Sequence, residues 1–295
     1  MRDVLSDCHP AISFTYFSGA ILFGMLLLHP LFLAASMTAA FSYALYLNGR
    51  RGLRFTLLYL LPMMVVAALV NPLFNHRGVT ILGYLSDNPI TLESIWFGIA
   101  VGVMFGAVIL WFSCFNRVMT ADKIMHIFGR ILPALSLVLS MVLRFVPRAR
   151  DQMQEVMAAQ RCAGRDIGAG PLRERARSGM KILSILVTWM LEDAIEKADS
   201  MKARGYGLPG RTNWSIYRFD ARDKTVLAVL IALLAAIGAG TAGGLAAVTY
   251  FPRFSVGGDP VLGPALLILY VVYCFAPLAL NGWEAAKWRR LRSGI

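Results

Sequence analysis

Residues 192–212 read Glu192-Asp193-Ala194-Ile195-Glu196-Lys197-Ala198-Asp199-Ser200-Met201-Lys202-Ala203-Arg204-Gly205-Tyr206-Gly207-Leu208-Pro209-Gly210-Arg211-Thr212. The first half has helical periodicity. Leu191, Ala194, Ile195, Ala198 and Met201 recur at i, i+3, i+4, i+7 and i+10 and form one apolar stripe. Glu192, Asp193, Glu196, Lys197, Asp199 and Lys202 fill the other face, and Asp193 precedes Lys197 by four positions, a favourable ion pair. Gly205 supplies the left-handed conformation that ends a helix, and Gly207, Pro209 and Gly210 prevent a restart. Arg204 is thereby left in the last turn, facing outward beside unpaired carbonyls. A cation there is worth about 0.3–1 kcal/mol as a plain dipole partner. Helix chemistry alone leaves that role and a docking role both open.

The rest of the chain supplies the context. Hydrophobic residues make up 57% of it, charged residues 16%, and mean hydropathy is +0.60, values of a multispan membrane protein. The formal charge is +12, and residues 116–224 hold 19 of the 29 Lys and Arg with 11 of the 17 acids. Basic residues flanking membrane segments are retained on the cytoplasmic side, so this stretch is expected inside. Acids interspersed among the bases, without an aromatic-basic module, exclude nucleic acid as a partner. Cys8, Cys114, Cys162 and Cys274 are scattered, with neither metal-ligand spacing nor a disulfide pattern.

Residues 11–47 are apolar apart from His29-Pro30 and read as one long helix or, preferably, two short ones. Residues 48–54 form a short basic loop with Arg50, Arg51 and Arg54. Residues 55–70 return across the membrane with a kink at Pro62. Residues 71–94 form an external loop with turn signals at Asn71-Pro72 and Asn88-Pro89, and residues 95–115 span again. A span over 124–146 would export the following arginine cluster, so a pair of helices lying along or dipping into the cytoplasmic face is expected instead. Residues 182–191 are too short a low-charge run to cross. Residues 225–250 span, with Gly238, Gly240, Gly243 and Gly244 suited to close helix packing. Residues 251–260 turn outside, and 261–280 cross back to a basic C-terminal end.

The expected fold is therefore all-α and polytopic, with five or six transmembrane helices. Residues 1–115 carry the N-terminal spans, 116–224 a cytoplasmic helical coupling domain, and 225–295 a C-terminal helix pair. A second arginine helix is expected to begin near Pro147, a residue suited to a first turn, and to run to Arg161, Cys162, Ala163, Gly164 and Arg165. Gly164, Gly168 and Gly170-Pro171 stop it. Two helices that each end on a glycine beside arginine suggest two docking tips in one domain.

These blocks resemble the transmembrane T component of energy-coupling-factor (ECF) transporters. Ser200-Met201-Lys202-Ala203-Arg204-Gly205-Tyr206-Gly207 is similar to the family's second Ala-Arg-Gly signature. Asn71-Pro72-Leu73-Phe74-Asn75-His76-Arg77-Gly78 resembles its external segment, and Arg144-Phe145-Val146-Pro147 with Ala159-Gln160 resembles the approach to the first signature. The resemblance implies that each tip enters a groove on one of two ABC-type ATPase subunits. It further implies that a substrate-binding S component packs on the coupling helices, here assigned to Ile185, Trp189, Ala194 and Ala198, for uptake of a vitamin or a metal ion. Ala203, Arg204 and Gly205 match the second signature. The first departs from it: Cys162-Ala163-Gly164 lacks the arginine, and Arg161 and Arg165 flank the triplet as replacements, although each step around a helix turns a side chain by about 100°.

Other chemistries fit poorly. His9, His29, His76 and Asp87 follow no metal-ligand spacing. The glycines of 205–210 lack the Lys-Ser/Thr of a phosphate loop. No catalytic residue, metal or cofactor is assigned, and the remaining contacts are with membrane lipid. A permease of another ABC importer would bind substrate within its own spans, where charged residues are scarce here.

Overall fold

The computed structural model describes residues 3–75, 77–85, 88–129, 132–164, 171–209, 217, 219–257 and 259–293. In chain order the helices are α1 (Val4–Asp7), α2 (Pro10–Leu26), α3 (Pro30–Asn48), α4 (Arg50–Phe55), α5 (Leu61–Phe74), α6 (Leu92–Val118), α7 (Ala121–Gly129), α8 (Pro133–Cys162), α9 (Leu172–Ala203), α10 (Ala221–Ala242) and α11 (Leu262–Ser293). Two small antiparallel hairpins interrupt them, β1 (Ile81–Leu85) with β2 (Asn88–Thr91) and β3 (Val248–Thr249) with β4 (Ser255–Val256). The chain forms two compact units, Met1–Ile124 with Tyr217–Ile295, and Met125–Ile216.

The first unit is a helical bundle. Five of its helices are long and apolar enough to cross a membrane: Pro30–Asn48, Gly52–Phe74, Leu92–Val118, Ala221–Ala242 and Leu262–Trp288. The apolar α2, at 17 residues, is shorter than these five and packs beside them. Residues 11–47 are thus two helices. His29 ends the turn between them by accepting a hydrogen bond from Leu31 N at 3.3 Å, and Pro30 occupies the first helical position, where a missing N–H costs nothing. His9-Pro10 repeats this start at α2, with His9 Nδ1 accepting from Ala11 N at 3.2 Å.

Several boundaries differ from the sequence reading. The basic loop shrinks to Gly49 (φ 55°), and Arg50 and Arg54 lie in helix α4. The helix then widens to a π turn over Thr56–Leu60 just before Pro62, whose ring has no N–H to give and crowds the carbonyl four residues back. Asn71-Pro72 lies inside α5 rather than in a turn, and Asn88-Pro89 belongs to strand β2.

Without water between helices, association in a membrane rests on close packing and on satisfied polar groups. Trp111, Tyr16, Phe17, Tyr43, Tyr270 and Tyr273 form the buried centre of the bundle. Most of their polar atoms are engaged: Trp111 Nε1 donates to Ser36 Oγ (3.1 Å), Tyr16 OH to Cys274 O (3.1 Å), Tyr43 OH to Asp3 Oδ2 (2.9 Å) and Tyr273 OH to Tyr16 O (2.5 Å), while Tyr270 OH has no hydrogen-bond partner among the described residues. The tightest seam joins α5 and α6. A Cβ on Gly98 would stand 2.5 Å from Ala68 O, one on Gly102 2.8 Å from Met64 O, and one on Gly106 2.5 Å from Met64 Sδ. This Gly-x-x-x-Gly-x-x-x-Gly ridge was not singled out in the sequence, where the packing role was expected of 238–244. There Gly240 does meet Leu266, at 2.6 Å for a built Cβ, whereas Gly243 and Gly244 terminate α10.

The two ends of the bundle are chemically distinct. At one, Tyr250 OH donates to Leu28 O (2.5 Å), Phe97 packs edge-on to Tyr250, and Trp96 stacks on Phe254. Glu93 there accepts from Thr80 Oγ1 (2.8 Å), and Thr91 caps α6. At the other end Asp3 is buried, accepting from Tyr43 OH (2.9 Å) and Asn281 Nδ2 (2.5 Å).

In the second unit α8 and α9 are paired. Pro147 does not start a helix: α8 begins at Pro133 and carries Pro147 in its interior, leaving Leu143 O without its usual donor. Residues 124–146 are two helices, parted between Gly129 and Pro133.

Replacing Gly102 by Leu is expected to cost about 1–3 kcal/mol by overpacking and to lower the thermal midpoint in detergent. Gly282→Ala, which faces open space inside α11, serves as the control and is expected to leave the midpoint unchanged or raise it slightly, Ala being the better helix former.

Candidate docking tips on the helical hairpin

Arg148 Nη1 lies 3.2 Å from Asp193 Oδ1, Lys197 hydrogen-bonds the same carboxylate, and the Lys197 ammonium stands 5.3 Å from the Phe145 ring centroid. Later residues of α9 therefore meet earlier residues of α8, and the helices run antiparallel. By the same register Val156 falls opposite Ile182 and Leu186, and all three are buried. Asp193 does not sit on a solvated face, as its place in the acidic run suggested, but between two cations. The hydrogen bond from Lys197, with Arg148 adding to it, holds its carboxyl below the usual carboxylate value.

The antiparallel register separates the tips. Arg148 lies 15 residues before Ala163 on α8, and Asp193 lies 11 before Arg204 on α9. At about 1.5 Å per residue the two helix ends point in opposite directions roughly 40 Å apart.

Both ends are built alike. At the second, Ala203 is the last helical residue, Arg204 the cap and Gly205 has φ 81°. Gly205 N donates to Lys202 O (2.9 Å) and Tyr206 N to Met201 O (3.0 Å), the paired bonds of a Schellman motif. At the first, Cys162 is the last helical residue, Ala163 the cap and Gly164 has φ 76°, with Gly164 N donating to Arg161 O (2.9 Å). Arg165 lies outside the described residues, as do His76 and Asp87. Ala163 thus occupies the place of Arg204, and Arg161 the place of Lys202. Arg161 sits two positions earlier than Ala163, about 200° around the helix, and does not reproduce the direction of a cap arginine. Arg204 is exposed and forms no ion pair with the described residues.

The residues assigned to S-component packing divide. Ile185 is half-buried and Trp189 is 41% exposed. Ala194 and Ala198 line a groove of about 390 Å³ together with Met141, Phe145, Met190 and Met201. Ile182 and Leu186, in the same run, are consumed within the fold, while Leu191 and Ile195 of the predicted stripe are more than 60% exposed. Sequence periodicity found the stripe; which members stay open depends on where α8 crosses it.

A bundle of apolar spans joined to a hairpin with two exposed basic tips defines a polytopic helical membrane subunit with no enclosed polar site in its spans among the described residues. The CbiQ family, described as cobalt transport protein, matches residues 9–214, and the chain belongs to that family. Its class is the transmembrane T component of ECF transporters. Similar proteins named "Energy-coupling factor transporter transmembrane protein EcfT" come from Exiguobacterium sibiricum (36% identity, 34% of this chain, 38% of that protein) and Lactobacillus helveticus (37%, covering 38% and 41%). Another comes from Macrococcus caseolyticus (29%, covering 64% and 73%). The chain matches about two fifths of the length of the first two relatives.

Two outcomes follow for the hairpin. Gly205→Ala places a Cβ in the left-handed region at a cost of about 1–2 kcal/mol, and is expected to speed amide exchange at Tyr206 by about tenfold. Because the Asp193 carboxyl is held below its ordinary value of 3.8, its contribution is present above that pH and lost as pH falls through the lower folded value. Asp193→Asn is expected to abolish this acid-side dependence of hairpin melting.

Proposed function

We propose that this chain is the coupling scaffold of an ECF-type importer, transmitting ATP-driven movement of two ABC-type ATPase subunits to a substrate-binding S component. The observation that carries the reading is the pair of like-built, exposed helix tips about 40 Å apart on one antiparallel hairpin. Such a spacing suits two separate partner grooves better than one. Arg204 offers a planar, permanently charged fork to a carboxylate in one groove. Ala203 and Gly205 keep its surroundings small. The first tip, with Ala163 at the cap, engages through Arg161, Arg165 or backbone carbonyls. The open apolar residues around Ala194 and Ala198 suit an S component, with Ile185 and Trp189 at the margin. The hydrolytic chemistry belongs to the ATPases, and the cargo is a vitamin or a metal ion, in keeping with the family's description as cobalt transport proteins. The excess of basic residues supports a cytoplasmic side for the hairpin and for the C-terminal end of α11 at the cell membrane.

Purification of the tagged chain in mild detergent is expected to bring down two ATPase subunits and a small polytopic protein. Arg204→Glu is expected to remove ATPase association while membrane insertion is retained; normal coupled transport in that variant would overturn the docking role. Ala163→Arg is expected to strengthen ATPase retention at the first tip, measured as a slower dissociation rate.

A further inference from the structure

The chain passes between the two units twice, outward after Ile124 and back at Tyr217. Both crossings meet the same short stretch near the start of the chain. On the outward side, Lys123 is only 4% exposed, and its Nζ donates to Ser6 O (2.7 Å) and Val118 O (3.0 Å). The second of these is an otherwise orphaned carbonyl at the C-terminus of α6. Burial pushes the Lys123 ammonium below the usual lysine range, against the pull of Asp3, Asp7 and Cys8. On the returning side, the His9 ring stands edge-on to Phe219 at 4.7 Å between centroids and to Tyr217 at 6.4 Å.

The stretch that holds these contacts is itself fixed to the bundle. Asp3 is bound by Tyr43 of α3 and Asn281 of α11, and Asn281 Oδ1 accepts from Val4 N at 2.8 Å. Ser13 Oγ of α2 donates to Leu5 O at 2.7 Å. Three helices of the bundle therefore anchor one short segment, and that segment holds one residue beside each crossing.

We propose that residues 3–9 form a clamp that pins both crossings to the membrane bundle. Movement of the hairpin is thereby delivered to the membrane helices instead of being absorbed by bending at the connections. Lys123 and His9 are positioning residues in this arrangement. A buried ammonium spanning two backbone carbonyls suits the task, because breaking it strands polar groups out of water. The consequence for transport rests on the coupling role proposed above; the clamp itself does not.

The test uses the full chain with its ATPases and S component in lipid nanodiscs, followed by amide exchange and by uptake per ATP hydrolysed. Lys123→Met is expected to raise exchange about tenfold at residues 119–124 and also at 219–225, with which Lys123 forms no hydrogen bond or ion pair among the described residues. His9→Asn retains a side-chain acceptor for capping α2 but lacks the ring, and should loosen 219–225. His9→Phe keeps the ring and should leave 219–225 protected. Uptake per ATP is expected to fall about tenfold in Lys123→Met and His9→Asn while the ATPases stay bound. Exchange that rises only at 119–124 in Lys123→Met, or protection of 219–225 in His9→Asn, would overturn the clamp. Should Lys123→Met fail to fold, the two His9 variants still decide it. Wild-type chain that fails to bind ATPases would sink the coupling reading alone, because the exchange results on the isolated chain would still report on the clamp.

Discussion

A membrane interior supplies no water to accept a stray proton or cover an open carbonyl, and the architecture of the first unit follows from that constraint. Among the described residues of this unit, non-helical backbone is kept to short connections such as Leu27–His29 and Met119–Thr120 and to the hairpins of β1–β2 and β3–β4. Aromatic residues dominate the centre, yet Trp111, Tyr16 and Tyr273 each hand their polar hydrogen to a named acceptor. Asn71 Oδ1 and Tyr270 OH go without a partner among the described residues. Helix contact is secured by the absence of side chains at Gly98, Gly102 and Gly106, which lets α6 approach the carbonyls of α5. The charged groups Asp3 and Lys123 are admitted only where several donors or acceptors converge on them.

The second unit answers to different physics. Its two long helices share few buried side chains, Val156, Ile182 and Leu186 among them, and are held in register by Asp193 between Arg148 and Lys197. Much apolar surface is left open, including Leu135, Val138 and Val146 on α8 and Leu191 and Ile195 on α9. A hairpin of this kind gains little stability from burial among its own residues. Its ends are closed instead by backbone hydrogen bonds around a left-handed glycine, so that the tips keep their form with few neighbours.

The spans, the helical character of residues 192–203 and the stop at Gly205 were legible because each rests on local chemistry. Apolar run length marks a span, a 3.6-residue period marks a helix face, and glycine marks a left-handed cap. Pro147 misled for an instructive reason. A proline inside a helix costs about 3 kcal/mol, which it does not at a first turn, but packing along the rest of a long helix can offset that cost, and the local sequence does not show it. The clamp was invisible because Asp3, Ser6, His9, Tyr43, Lys123, Phe219 and Asn281 lie far apart in the chain and share no spacing.

The sequence by itself determined an all-helical polytopic membrane protein with two glycine-ended basic helices; its membership of the CbiQ family came from similarity over residues 9–214. Hydropathy, charge bias and cap chemistry are properties of short windows, and short windows were sufficient. Only the tertiary structure decided that the two tips face opposite ways along an antiparallel hairpin, that Ala163 and Arg204 hold equivalent cap positions, and that Asp193 is a bridge rather than a surface charge. Each of these depends on which residues of distant segments come within a few ångströms of one another. That is set by how the helices pack, and no window of the chain contains it.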